Sequence, residues 1–179
     1  HQVPSGSSGS PEAPACGVEL VRSLHNIGVR GENFEVLFSV LNGGLVSYKY
    51  AGREMIEAIP KPNFWRAPTD NDCGSLMQMR YAQWKIASMY ASHKDYRKGM
   101  YGPANAPETT VHENSVEVAF TYILPTTPVS ECRLAYEVTG DGRVKTTLTY
   151  DPVKELGDMP EFGVLFKFNA DYDHVQWYG

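Results

Sequence analysis

Residues 34–50 read Phe-Glu-Val-Leu-Phe-Ser-Val-Leu-Asn-Gly-Gly-Leu-Val-Ser-Tyr-Lys-Tyr, and this stretch decides the fold class. Phe34, Val36, Phe38 and Val40 alternate with Glu35, Leu37 and Ser39. A period of two puts the first set on one face, the pattern of a strand packed on one side. Asn42-Gly43-Gly44 tolerates the positive φ of a tight turn, so residues 45–50 return as the partner strand. Ala51-Gly52-Arg53-Glu54 makes the next turn.

The same rhythm recurs downstream. Expected strands at 108–112 and 116–124 flank Glu113-Asn114-Ser115, and those at 132–138 and 144–150 flank Gly140-Asp141-Gly142. A last pair, 163–169 and 175–178, flanks Ala170-Asp171-Tyr172-Asp173. Short strands joined by hairpin turns every 8–12 residues or so predict an antiparallel β-sandwich. One short helix is expected within 78–89, where Leu76, Met79, Gln83, Ile86 and Tyr90 fall near helical spacing with Trp84 on a flank. Residues 89–97 read as a further strand and 99–107 as a loop. Residues 18–29 read only as an approach segment, and no internal repeat is visible. Residues 1–16, rich in Pro, Ser and Gly, cannot bury enough surface to offset their ordering entropy. They are a linker, either natural or left over from expression cloning.

At 179 residues the chain has the size of one domain with a real core. Its 42% hydrophobic and 21% charged content is that of a water-soluble globular protein. No apolar run approaches the ~20 residues that span a bilayer, so no membrane partner is expected. A net charge of −5 without a Lys/Arg stripe argues against nucleic acid. Cys16, Cys73 and Cys132 are odd in number and irregularly spaced, which indicates neither a disulfide framework nor a zinc site.

Residues 63–74 read Asn-Phe-Trp-Arg-Ala-Pro-Thr-Asp-Asn-Asp-Cys-Gly and carry the candidate chemistry. Pro68 fixes its own φ and biases Ala67 toward extended backbone, so a loop is expected. Gly74 is read as the residue that lets the chain turn. Arg66 is placed to pair with Asp70 or Asp72. Asp70-Asn71-Asp72 superficially resembles a calcium loop, but Ser75 then stands where Gly is required and Tyr81 where the bidentate Glu belongs. An EF-hand is excluded; a looser magnesium or calcium contact through Asp70 or Asp72 is left open, and no metal ligand is assigned. His1, His25, His93, His112 and His174 lie out of helical or alternating reach of a second His or a Cys, and structural roles are expected. Trp84 and Trp177 read as core, whereas Trp65 divides evenly between core and sugar platform.

The string from Asn63 to Gly74 resembles the signature of the C-terminal small-chain β-sandwich domain of large bacterial β-galactosidases, glycoside hydrolase family 2. Leu41-Asn42-Gly43-Gly44-Leu45 with Ser47, the segment around Trp84-Lys85, and Val175-Gln176-Trp177-Tyr178-Gly179 are similar to neighbouring family features in the same order. The resemblance implies a galactose mutarotase-like β-supersandwich, truncated, with residues 17–179 forming the N-terminal part of the domain. It further implies that the remaining half and the catalytic barrel, which holds both catalytic glutamates, are not in this chain. A retaining glycosidase needs two carboxyl groups about 5 Å apart, and no Asp or Glu here stands in such a context.

The chain is therefore expected to be a catalytically silent part of an enzyme that hydrolyses terminal β-D-galactosides such as lactose. Its expected partners are the barrel, the remaining half-domain and the β-galactoside, in a homo-oligomeric parent. By the resemblance, Trp65, Arg66, Asp70, Asn71, Asp72 and Gly74 border the active site, Gly74 hinges the following loop, and Arg66, Asp70 and Asp72 form a rigid bracing cluster. The 75–80 loop is shorter than in better-known members, which argues against a long lid. Cofactors are expected only in the parent, as Mg²⁺ and Na⁺ bound mainly by the barrel. The compartment is undetermined, with the bacterial cytoplasm favoured over the periplasm. The alternatives are a stand-alone carbohydrate-binding module, which needs an exposed aromatic platform, and a purely structural assembly module.

Overall fold

The computed structural model describes residues 17–94 and 105–176. Strands β1 (Glu19–Arg22), β2 (Asn26–Arg30), β3 (Phe34–Ser39), β4 (Gly44–Tyr50) and β5 (Arg53–Glu54) form an antiparallel five-stranded meander. Helical segments α1 (Asp70–Gly74), α2 (Met77–Arg80) and α3 (Ala82–Tyr90) follow β6 (Ala58–Asn63). Next come β7 (Glu108–Val111), β8 (Ser115–Leu124), β9 (Ser130–Thr139) and β10 (Val144–Tyr150), a four-stranded meander in the order β10-β9-β8-β7. Finally β11 (Gly163–Lys167) returns to pair with β6. The protein is a mainly β, antiparallel sandwich, as the period-two patterning predicts.

Alternation produces the core directly. Val36 and Phe38 of β3 are fully buried, and so are Val118 of β8 and Leu134, Tyr136 and Val138 of β9. Phe38 lies 5.4 Å from Tyr136 and 6.4 Å from Phe120 between ring centroids, so one aromatic cluster joins the two large sheets. Tyr122 donates its hydroxyl proton to the carbonyl of Gly43, and Tyr48 donates to the carbonyl of Gly142 at 2.7 Å. Both bonds tie a hairpin turn to the opposite sheet. Cys132 is buried and free, its thiol pushed up to about 12 by desolvation, while Cys73 is exposed.

Several expectations need correction. Residues 18–29 contain two strands, β1 and β2, paired Leu20↔Val29 and Arg22↔Ile27. Their four- and five-residue lengths are too short for alternation to stand out. The single helix expected at 78–89 is two segments, α2 and α3, and a third, α1, precedes them at Asp70–Gly74 where a loop was expected. Residues 89–90 close α3 instead of opening a strand, and only Ser92 bridges to Ile123. The rest of that expected strand, at 95–97, and most of the 99–107 loop lie outside the described residues. Residues 175 and 176 are not in a strand; Trp177, Tyr178, Cys16 and the 1–16 linker also lie outside. No described helix is long and apolar enough to cross a membrane.

His93 does structural work that its isolation in the sequence concealed. Its ring packs over Gly43, where an added Cβ would sit 2.0 Å from the imidazole Cγ. Its Nε2 is buried without a hydrogen-bond partner. Burial lowers its pKa below the usual 6.5, helped by neighbouring Lys94 and opposed by the backbone carbonyls of Leu41 and Val40. The fold therefore favours neutral His93. That stability is present above the unfolded value of 6.5 and is lost as pH falls through it toward the lowered folded value. Urea midpoints of the chain should fall between about pH 7 and about pH 5, and His93→Gln should remove most of the slope. An unchanged slope in the variant would exclude His93 as its source.

Candidate functional site

The 63–74 segment leaves β6 at Asn63, whose side-chain amide donates to the Trp65 carbonyl at 2.8 Å. Thr69 is extended (φ −83°, ψ 171°) and caps α1. Its hydroxyl accepts from the Asp72 amide at 3.3 Å, while Asp72 Oδ2 accepts from the Thr69 amide at 2.8 Å. This reciprocal capping box satisfies two orphan donors of a helix start and favours an acid in the first turn. It explains why the chain becomes helical immediately after Pro68. The Thr69-x-x-Asp72 spacing was visible in the sequence and was the signal for a helix where only a loop was expected.

Arg66 completes the arrangement. Its Nη1 donates to Asp72 Oδ2 at 2.6 Å and its Nη2 to Oδ1 at 3.0 Å, a two-pronged pair. The Arg66 guanidinium and the two Thr69 donors hold the Asp72 carboxyl at about 2, well below its usual 3.8. The Asp72 side chain is only 16% exposed. Both of its oxygens are engaged. Among the described residues, no group of three or more His, Cys, Asp or Glu gathers closely enough to hold a metal ion.

The other candidate residues separate. Of the two aspartates offered to Arg66, Asp72 is the partner; Asp70 and Asn71 project from the first turn of α1, exposed, and make no hydrogen bond to Arg66. The three-residue polar cluster is thus a pair plus Thr69. Trp65 is half-buried and packs against the core. Gly74 does not act as the turn residue: it is the last residue of α1, and a Cβ there would meet nothing within 4 Å. The left-handed position is Leu76, at φ 56° and ψ 33°, where most side chains cost energy.

The site rests on a rigid base. Trp84 is 1% exposed and lies 5.8 Å from both Phe64 and Tyr150. Ser88 accepts the Phe64 amide at 2.8 Å and donates to the Trp84 carbonyl at 2.8 Å. Trp84, Ala87 and Met77 face inward. Leu76 (58% exposed), Met79 (77%), Ile86, Met89 and Tyr90 face outward. The sequence reads Leu76, Met79, Ile86 and Tyr90 only as a helical-spacing stripe and Met89 as the start of a strand, and singles out none of them as functional; the structure turns that stripe outward and buries Trp84, the residue read as its flank.

What the fold and site define is an antiparallel β-sandwich unit bearing a braced polar turn beside an apolar helical flank. The β-galactosidase small chain family matches residues 30–179. A β-galactosidase of Clostridium acetobutylicum is 35% identical over 162 residues, 90% of this chain and 17% of the relative. One from Halalkalibacterium halodurans is 38% identical over 164 residues, 90% of this chain and 15% of the relative. A β-galactosidase small subunit of Latilactobacillus sakei is 30% identical over 149 residues, covering 78% of this chain and 47% of that subunit. The chain belongs to the β-galactosidase small-chain family, and it spans less than a fifth of the full-length relatives.

Proposed function

We propose that this chain is the non-catalytic small-chain part of an enzyme that hydrolyses terminal β-D-galactosides such as lactose, and that it braces and borders the active site of a catalytic barrel it does not contain. The observation that carries the reading is the Arg66–Asp72–Thr69 lock. It pre-organises an exposed turn without using any group that performs chemistry. Beside it, Leu76, Met79, Ile86, Met89 and Tyr90 present apolar surface, the kind of patch that marks a protein contact. On this reading the barrel covers that flank, and any Mg²⁺ or Na⁺ is held by the barrel. The assembled parent is a homo-oligomer, with the bacterial cytoplasm favoured over the periplasm.

The test is Arg66→Ala in the full-length parent. It frees Asp72 and loosens α1, so the border residues lose their placement. Misplacement of about 1 Å can cost up to a hundred-fold. We expect kcat/KM for a galactoside to fall about ten- to a hundred-fold, chiefly through KM, with Arg66→Lys recovering little because the two-pronged geometry is lost. Because the Asp72 pKa is lowered, its contribution is present above 3.8 and is lost as pH falls toward about 2. The variant should therefore match the wild type in acid unfolding below about pH 2 and differ above about pH 4. Unchanged kinetics and an unchanged melting temperature would refute the bracing role.

A further inference from the structure

We propose that Asn42 is a spontaneous modification site, losing its side-chain amide through a cyclic imide formed with Gly43, and that the fold permits the reaction only when the β3–β4 turn opens. Asn42-Gly43 is the sole Asn-Gly step in the chain. Asparagine is thermolabile, and a following glycine, which has no Cβ, leaves its backbone nitrogen unshielded. Once base removes its proton, the Gly43 nitrogen attacks Asn42 Cγ. The new N–Cγ bond closes the imide ring as the Cγ–Nδ2 bond breaks, and ammonia departs with a solvent proton. Water then opens the imide at either carbonyl. The product is aspartate or, with the backbone rerouted through Cγ, isoaspartate.

The closed turn locks the nucleophile. Gly43 is buried, and its N–H donates to the Ser39 carbonyl at 2.9 Å. Ser39, itself buried, also accepts the Asn42 amide on its Oγ at 3.1 Å, so one residue fixes both backbone nitrogens of the step. On the other side, the Gly43 carbonyl accepts the Tyr122 hydroxyl, and the His93 ring fills the space a side chain at Gly43 would take. A buried, bonded N–H neither meets base nor swings toward Cγ. Opening must come first, and the rate then follows the open population, as hydrogen exchange does. Reclosure is what the modification damages. Ser39 pairs with Gly44, so residues 40–43 are the entire connection between β3 and β4. Isoaspartate adds a backbone carbon to that connection, which then no longer fits beneath Tyr122 and His93. The reaction therefore records each opening of the hairpin and makes it permanent.

The test holds the whole chain at mildly alkaline pH and follows each asparagine by mass-spectrometric peptide mapping. In urea above the unfolding midpoint, Asn42 should be the first asparagine converted. Without urea its conversion should be at least about a hundred-fold slower, within the protection that sub-global opening allows. Tyr122→Phe and His93→Ala, each shown to be folded by circular dichroism, should raise the folded-state rate about ten-fold and leave the rate in urea unchanged. Hydrogen exchange of the Gly43 amide should rise by the same factor. The isoaspartate product, separated by chromatography, should unfold at lower urea than the aspartate product. Equal rates with and without urea, first conversion in urea at another asparagine, or wild-type rates in both variants would each overturn the proposal. So would Gly43 exchange that does not follow the conversion rate, or equal urea midpoints for the two products.

Discussion

Trp84→Ala destabilises the chain by about 3–5 kcal/mol, the range for truncating a buried Trp. The side chain is 1% exposed and sits between Phe64 and Tyr150, with ring centroids 5.8 Å away in each case. Phe64 in turn stacks on Phe162 at 6.2 Å, so the cavity would open at the junction of α3, β6, β10 and the approach to β11. The indole Nε1 has no hydrogen-bond partner. The loss is therefore packing alone, with no polar bond to forfeit, and Trp84→Phe should recover most of it because an unpaired buried donor is itself costly. Urea unfolding at neutral pH measures both variants. A cost for Trp84→Ala below about 1 kcal/mol would mean that α3 is not anchored as the geometry requires. Since α3 carries the flank beside the Arg66–Asp72 pair, the same variant should also weaken the parent's kcat/KM.

The second large effect is expected at Gly43→Ala, about 2–5 kcal/mol from two sources. Gly43 sits at φ +69°, where a Cβ strains the backbone. The added carbon would also lie 2.0–2.6 Å from three atoms of the His93 ring. The ring must leave, and its departure uncovers the turn whose carbonyl receives the Tyr122 hydroxyl. The steric part depends on His93 and the backbone part does not. In a double-mutant cycle, His93→Ala should cancel the first and leave about 1–2 kcal/mol. Strict additivity of the two changes would show that ring and glycine are not in contact.

These two residues illustrate unequal legibility. Trp84 read as core from its sequence setting, and the structure buries it. Gly43 read as a turn residue and is one, but nothing in the sequence announced that a histidine fifty positions later would occupy the space a side chain needs. Gly74 fails in the opposite sense. It looked like the obligatory turn, yet the left-handed position falls on Leu76. The capping box built on Thr69 and Asp72 keeps the backbone helical through Gly74. Arg66 had two acidic candidates four and six residues away. The choice of Asp72 follows from α1, which turns Asp72 back toward Thr69 and Arg66 and carries Asp70 outward.

The chain's own sequence determined the β class, the hairpin at Asn42–Gly44 and the family, because alternation and turn chemistry are local and the 63–74 signature is contiguous. Tertiary structure alone decided which acid locks Arg66, where the helices begin and end, that His93 seals Gly43, and that β11 returns to β6 nearly a hundred residues later. Those outcomes depend on contacts between segments distant along the chain. Their energies come from burial and from competing partners, which no local pattern of residues encodes.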